Sequence, residues 1–264
     1  STWPESEIIH TSLSAEEQYS IEVAVNEAKE NDVIIAVLGE DVARVGEGLS
    51  RSGLDLPGRQ EQLLEALQAT GKPVVVVLIN GQPLTINWAD RYVPAILEAW
   101  FPNQYGGKAI AETLFGDYNP GGKLSVTFPK TVGQIEYNFP FKPGSQANQG
   151  RGDFSYGNTR INGSLYPFGY GLSYTTFSYS DIKLSVNSMS ANGSMTAKVT
   201  VSNTGNTDGK EVVQLYIRDV VGSTTRPVEE LKGFQKIDVK AGESKTVTFK
   251  ITNNDLKFYN YDLK

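Results

Sequence analysis

One loop of the sequence concentrates side chains that could do chemistry. Residues 39–52 include three glycines, two arginines and three carboxyl groups, namely Glu40, Asp41 and Glu47. Carboxyl groups placed in this way can bind a cation, repel or steer an anion, or transfer protons as general acids and bases. The spacing of the loop residues and their surroundings decide between these chemistries.

Phosphate and metal binding fit this loop poorly. Neither G-x-G-x-x-G nor G-x-x-x-x-G-K-[ST] occurs in it, and carboxylates beside a strand end would repel phosphate. The spacing of the carboxyl groups also differs from that of an EF-hand. We therefore predict neither a metal site nor a cofactor.

Acid/base catalysis is the third interpretation, and it centres on Glu47. Gly46 and Gly48 flank this residue and accept backbone conformations that other residues avoid, so the carboxyl could reach toward a cleft outside its own domain. Cleavage of a glycosidic bond commonly uses two carboxyl groups, one to protonate the leaving oxygen and one to attack or to activate water. Taken alone, a solvated loop residue stays the simpler interpretation of Glu47.

Composition excludes several other functions. The net charge of -6 and the lack of basic runs argue against nucleic acid or an anionic membrane surface as partners. No segment approaches the ~20 apolar residues of a membrane span. The chain has no cysteine, which excludes thiolate chemistry, and its single histidine, His10, leaves almost no basis for a histidine-dependent mechanism.

The elements around the loop predict a layered α/β domain. Helical spacing of apolar residues indicates helices, and short apolar runs indicate buried strands. Helices are predicted at 15–29, 58–71 and 107–115, and strands at 33–38, 74–79 and 95–100. The uninterrupted apolar run at 33–38 predicts a strand covered on both faces, and alternating strands and helices predict a mostly parallel sheet. In such sheets ligands gather at the carboxyl ends of strands, where the 39–57 loop begins.

The second half of the chain predicts an all-β sandwich. Apolar and polar residues alternate in five short segments separated by turn clusters. These segments are 182–186, 195–202, 211–218, 231–239 and 245–251. We therefore divide the chain into an α/β domain (1–130), a connector (131–176) and a β domain (177–264). The connector's aromatic residues predict that it packs along a domain surface; they are Tyr137, Phe139, Phe141, Phe154, Tyr156, Tyr166, Phe168, Tyr170 and Tyr174.

Blocks along nearly the whole chain resemble glycoside hydrolase family 3, of the periplasmic bacterial β-glucosidase type. In the α/β part they are 33–40, Gly46-Glu47-Gly48, Ser50-Arg51, 54–58, Gln60, 71–84, 98–101, 106–107, 115–124, 128–129 and 165–177. In the β part, 201–205, Gly209, Arg226-Pro227 and 231–234 resemble the family's fibronectin-III-like domain. The resemblance implies an α/β sandwich with a mostly parallel sheet, followed by a fibronectin-III-like sandwich.

The resemblance also implies a retaining mechanism and a role for several loop residues. In the family an Asp on an N-terminal barrel is the nucleophile, and Glu47 matches the position of the general acid/base. The resemblance implies that Glu47 would stay protonated in the closed site, ready to give its proton to the leaving group. Glu40 is expected to shape the loop by hydrogen bonding. Ser50 and Arg51 are candidate substrate contacts, although a structural salt bridge is favoured for Arg51. The substrate would be a β-glucoside or oligosaccharide, and the location periplasmic or secreted.

The chain also departs from the family. The barrel is absent, the α/β domain looks N-terminally incomplete, and 258–264 stop where family members continue into a last strand. The isolated chain is therefore expected to be inactive. The alternative is a non-catalytic scaffold, or a module for carbohydrate binding or homodimer formation. A flavodoxin-like nucleotide domain is disfavoured because its phosphate loop is missing, and the sequence leaves the sugar open.

Overall fold

The computed structural model describes residues 11–134, 138–143 and 163–263. His10 and the connector residues Tyr137, Phe154 and Tyr156 lie outside these ranges. The described chain divides into two compact units. The α/β unit comprises 11–111, 127–134 and 163–166, and the β unit comprises 112–126, 138–143 and 167–263. The limits of the domains at 130 and 176 stay a prediction from the sequence.

The α/β unit alternates helices and strands, as the sequence predicts. Its elements are α1 (Ala15–Lys29), β1 (Ile34–Gly39), α2 (Gln60–Gln68), β2 (Val74–Ile79), α3 (Asn87–Tyr92), β3 (Ala95–Glu98) and the first six residues of α4 (Gly106–Leu114). The three strands form a parallel sheet in the order β1-β2-β3. A capping box between Ser14 and Glu17 satisfies backbone donors at the start of α1. The parallel order brings the carboxyl ends of all three strands to one edge of the sheet.

The prediction that β1 is covered on both faces is wrong. Ile34, Ala36 and Leu38 are buried, but Ile35 and Val37 on the other face are 46% and 58% exposed. The next strand is covered more completely, because Val77, which pairs with Val37 in register, is fully buried. Within the described residues, β1 is therefore an edge strand with one apolar face open.

Two further differences concern the third strand and the segment before it. The strand predicted at 95–100 ends at Glu98, because Trp100 adopts a left-handed backbone with φ of 52°. The helix α3, which the sequence analysis left unassigned, fills the connection between β2 and β3. Its six residues carry too few apolar positions to show a helical period.

The β unit contains six antiparallel strands, which agree with a fibronectin-III-like sandwich. They are β4 (Phe177–Tyr179), β5 (Lys183–Leu184), β6 (Ser194–Asn203), β7 (Gly209–Ile217), β8 (Glu230–Val239) and β9 (Ser244–Thr252), followed by α5 (Asn253–Leu256). β6 pairs with β4, β5 and β9, and β7 pairs with β8. Buried residues from both sheets meet in the core; they are Val201, Val213 and Val247, and Ala197, Leu215 and Ile251.

Aromatic residues of the predicted connector pack within each unit. In the α/β unit the ring of Tyr166 lies 5.9 Å from that of buried Phe128. In the β unit Phe139 stacks on Phe168 at 4.3 Å and meets Tyr216 edge-on at 5.6 Å. Across the described ranges, the longest apolar helical stretches fall short of what a membrane crossing needs.

The open face of β1 leads to a stability prediction. Val77→Ala removes two buried carbons and leaves a cavity, so it should lower the free energy of unfolding of this chain by roughly 2–3 kcal/mol. The matched change Val37→Ala removes the same atoms from an exposed site and should cost less than about 1 kcal/mol. Denaturant unfolding followed by circular dichroism measures both. Equal losses would show that Val37 is buried in solution.

Candidate acid/base site

The site begins where β1 ends, at Gly39. This glycine has φ of 135°, and a Cβ atom there would collide with the carbonyl oxygen of Ile79 on β2. Gln60, at the start of α2, brackets the same backbone: its Oε1 accepts from Gly39 N at 2.7 Å, and its Nε2 donates to Gly39 O at 2.8 Å. The chain therefore leaves the sheet at a fixed point and in a fixed direction.

Glu40 follows immediately, and its carboxylate is buried with no exposed side-chain surface. Its Oε2 accepts from Gly81 N at 3.1 Å, and its Oε1 accepts from Gln82 Nε2 at 2.8 Å. Its own N–H donates to Ile79 O at 2.8 Å. A buried carboxylate is stable only when its lone pairs are satisfied and its charge is compensated. These contacts confirm the prediction that Glu40 shapes the loop by hydrogen bonding.

Arg51 supplies the compensating charge. Its guanidinium donates to Glu40 through Nη1, and to the carbonyl oxygen of Asp55 at 2.8 Å through Nη2. Glu40 and Arg51 lie eleven residues apart, so their ion pair closes the base of the loop between them. The salt bridge favoured for Arg51 in the sequence analysis is present. A direct contact of Arg51 with substrate stays a prediction.

Glu47 occupies the central part of this closed loop. Leu49 N donates to Gly46 O at 3.1 Å, which forms a turn with Glu47 and Gly48 as its two central residues. Gly48 has φ of 79°, as the third position of a type II turn requires, and Gly46 has φ of 153°. Both glycines thus adopt conformations that other residues avoid. The Glu47 side chain is exposed, as is Ser50 nearby.

A third carboxyl group, that of Glu98, lies at the tip of β3. Glu98 accepts from the backbone N–H of Trp100 at 2.9 Å and from Asn80 Nδ2 at 3.4 Å. Burial raises the pKa of Glu98 to about 7, because removal from water disfavours the charged form. The nearby Glu40 carboxylate raises the pKa further, while the two hydrogen bonds oppose the shift.

An open groove of about 650 Å³ borders the start of the loop. Asp41 and Arg44 from the loop line it together with Val37, Gln60 and Leu63. Glu47 is not among its lining residues, so the groove does not place substrate against that carboxyl. Among residues 11–134, 138–143 and 163–263, no three acidic or histidine side chains gather in a way that could hold a metal ion.

Comparison with protein families agrees with this architecture. Residues 5–174 match the family model for the glycosyl hydrolase family 3 C-terminal domain, which covers well over half of the chain. The chain belongs to glycoside hydrolase family 3. Residues 211–264 also match the model for a fibronectin type III-like domain. The family 3 match includes the Glu40–Arg51 loop.

Relatives in the family are glycoside hydrolases. A periplasmic β-glucosidase of Salmonella typhimurium is 47% identical over 254 residues, which cover 94% of this chain and 33% of that protein. A β-xylosidase of Formosa agariphila is 46% identical over 241 residues, which cover 91% of this chain and 33% of that protein. The chain thus spans about a third of the length of these family 3 relatives.

Solved family 3 structures share the fold. A β-glucosidase from Erythrobacter marinus superposes with a TM-score of 0.85 at 39% identity, over 97% of this chain and 35% of that one. The Listeria innocua β-glucosidase in complex with glucose gives 0.81 at 37% identity, over 96% and 35%. The chain therefore corresponds to the C-terminal family 3 part of β-glucosidases.

The sequence does not predict the side chains whose hydrogen bonds support the two ends of the family 3 loop. Gln60, Gln82, Asn80 and Glu98 reach the loop or its supports, but no motif or period in the sequence marks them as partners. Gln82 meets Glu40 across 42 residues of sequence. Asn80 and Gln82 follow a predicted strand and Gln60 lies near a predicted helix start, where polar side chains converge, and this was the one available signal. Glu98 lay inside the strand predicted at 95–100 and lacked even that signal.

The ion pair at the base of the loop leads to a test with two arginines. Arg51→Ala would leave the buried Glu40 carboxylate without its countercharge and should lower the free energy of unfolding by about 3 kcal/mol. Arg44→Ala is the control, because Arg44 and its partner Asp41 are 3.9 Å apart and largely exposed, so the loss should stay within about 0.5 kcal/mol. Denaturant unfolding compares them, and similar losses would contradict the structural role of Arg51.

Glu98 leads to a pH prediction. Its pKa rises from 4.5 to about 7 on folding, so the folded state binds its proton more tightly than the unfolded state does. Stability should therefore fall as pH rises from about 4.5 to about 7, by up to roughly 3 kcal/mol, and level off above that.

Glu98→Gln provides the matched control for this titration. Gln has nearly the same shape and carries no titrating proton, so the difference in unfolding free energy between wild type and variant should change across this window. Melting curves at pH 5, 6, 7 and 8 measure it. Parallel curves for the two proteins would show that Glu98 does not titrate there.

Proposed function

We propose that this chain supplies the general acid/base carboxyl, Glu47, to a retaining β-glucosidase. The sugar pocket and an Asp nucleophile would lie on an N-terminal barrel domain. The observation that carries the proposal is the exposed position of Glu47 in a glycine turn of a loop whose base is held by a buried ion pair. Such a carboxyl can face another domain and still keep a defined position.

The proposed chemistry has two steps. First the barrel carboxylate attacks the anomeric carbon while the Glu47 carboxyl gives its proton to the departing glycosidic oxygen. Then the Glu47 carboxylate takes a proton from a water molecule, which attacks the anomeric carbon and releases the enzyme nucleophile. The proton returns to Glu47, so the atoms and charges balance over the cycle.

The substrate and the location are parts of the proposal. Relatives named β-glucosidase support a terminal β-linked glucose, and the related β-xylosidase marks a β-xyloside as the competing substrate. Ser50, which is exposed three residues after Glu47, is proposed to contact the sugar. The name of the Salmonella typhimurium relative supports a periplasmic location. The hypothesis that the chain forms a homodimer is independent of the substrate, and the molecular mass measured by sedimentation velocity tests it.

Removal of the Glu47 carboxyl tests the proposed role. In the enzyme that joins this chain to its barrel domain, Glu47→Ala should lower kcat/KM for phenyl β-glucoside by about 10²–10⁴-fold. The same variant should cleave 2,4-dinitrophenyl β-glucoside with little change in kcat/KM, because that leaving group departs without protonation. Azide should raise turnover and yield glucosyl azide, since an anion attacks without a general base.

The control is Asp41→Asn, which changes an exposed carboxyl of the same loop and should leave both substrates unaffected. The 264-residue chain alone should show no hydrolysis. Unchanged phenyl glucoside cleavage by Glu47→Ala would refute the assignment. Hydrolysis by the chain alone would show that the proposed division of the site between two domains is wrong.

A further inference from the structure

The loop that carries Glu47 has a second support besides its base. Gly81, two residues after the end of β2, lies so close to two side chains that a Cβ atom there would force one of them to move. A Cβ atom there would lie 2.7 Å from Cγ1 of Val45 and 2.7 Å from Cε2 of Phe101. One side chain from the loop after β1 and one from the segment after β3 therefore pack over one glycine.

These two side chains have different origins. Val45 belongs to the loop and lies two residues before Glu47. Phe101 follows β3, after the left-handed turn at Trp100, whose backbone N–H donates to Glu98. The ring of Trp100 packs 5.9 Å from that of fully buried Phe128, which fixes the turn from below. Phe101 thus follows a turn that a hydrogen bond and a ring contact hold, and Val45 comes from the loop itself.

We propose that Val45, Gly81 and Phe101 form a seat for the loop, and that this seat determines where the loop presents its acid/base carboxyl. The ion pair of Glu40 and Arg51 fixes the two ends of the loop but leaves ten residues between them. The seat holds the loop at a point between those ends. A displacement of about 1 Å at a catalytic group can cost about 100-fold in rate, so the seat acts on catalysis through Glu47.

This inference rests on the proposed role of Glu47. The three seat residues are positioning residues, because none of them is argued to touch substrate. Gly81 lies outside the left-handed range of φ, so an alanine there tests space alone, without backbone strain.

The test uses the enzyme with its barrel domain and the same two aryl glucosides. Gly81→Ala should push Val45 and the loop outward and lower kcat/KM for phenyl β-glucoside by about 10–100-fold. With 2,4-dinitrophenyl β-glucoside, which needs no acid, the same variant should stay within about threefold of wild type. The melting temperature shows whether each variant is folded.

A compensating change separates positioning from general damage. Val45→Ala in the Gly81→Ala background removes the loop atom among the two that the new methyl group meets, the other being on Phe101. Because the loop is then no longer pushed, this second change should restore at least about tenfold of the lost phenyl glucoside activity. Val45→Ala alone leaves the seat underfilled and should also reduce phenyl glucoside cleavage selectively. This single variant keeps the proposal testable if Gly81→Ala does not fold.

The outcomes separate the two proposals. If Glu47→Ala retains full activity, the role of Glu47 fails and the seat has no carboxyl to position. If Glu47→Ala is severely impaired but Gly81→Ala and Val45→Ala cleave phenyl β-glucoside like wild type, the seat alone is refuted. Equal losses on both substrates, without rescue by the second change, would also overturn it.

Discussion

A buried ion pair between Glu40 and Arg51 is the constraint on which the rest of the site depends. The Glu40 carboxylate has no exposed surface, and a buried carboxylate persists only when paired and hydrogen-bonded. Arg51 provides the pair, while Gln82 and the backbone N–H of Gly81 each donate to one of the two carboxylate oxygens. Because the two charges come from opposite ends of one loop, the requirement to neutralise Glu40 also fixes the loop.

The parallel sheet makes this arrangement possible. Its three strands end at one edge, so the residues that follow them converge although they are distant in sequence. Carboxyl groups of two kinds result. Glu40 and Glu98 lie within the strand tips and serve the structure, whereas Glu47 stands exposed on the loop that those tips hold. This arrangement suits a residue that acts on a substrate bound elsewhere, because the ends of the loop are held by buried contacts while the Glu47 carboxyl is exposed.

Local sequence patterns predicted the main helices and strands. They did not predict the features that depend on contacts between residues distant in the sequence. The strand at 74–79 and the helix at 15–29 were correct because apolar spacing is a local property. The unusual backbone conformations expected of Gly46 and Gly48 are observed, whereas the turn that they form around Glu47 was not predicted. The open face of β1 was missed because its coverage depends on which elements pack there. Gln60 and Gln82 were missed because their bonds join residues 21 and 42 positions apart.

The most direct test of the account is the distance from Glu47 to a bound substrate. A crystal structure of the enzyme with its barrel domain and an uncleaved thio-linked glucoside would show the Glu47 carboxyl and the linking sulfur atom together. The account predicts a carboxyl oxygen of Glu47 within hydrogen-bond reach of the linking sulfur atom or one water molecule away, with the ion pair of Glu40 and Arg51 intact. A Glu47 side chain that points into solvent, away from an occupied sugar pocket, would contradict it.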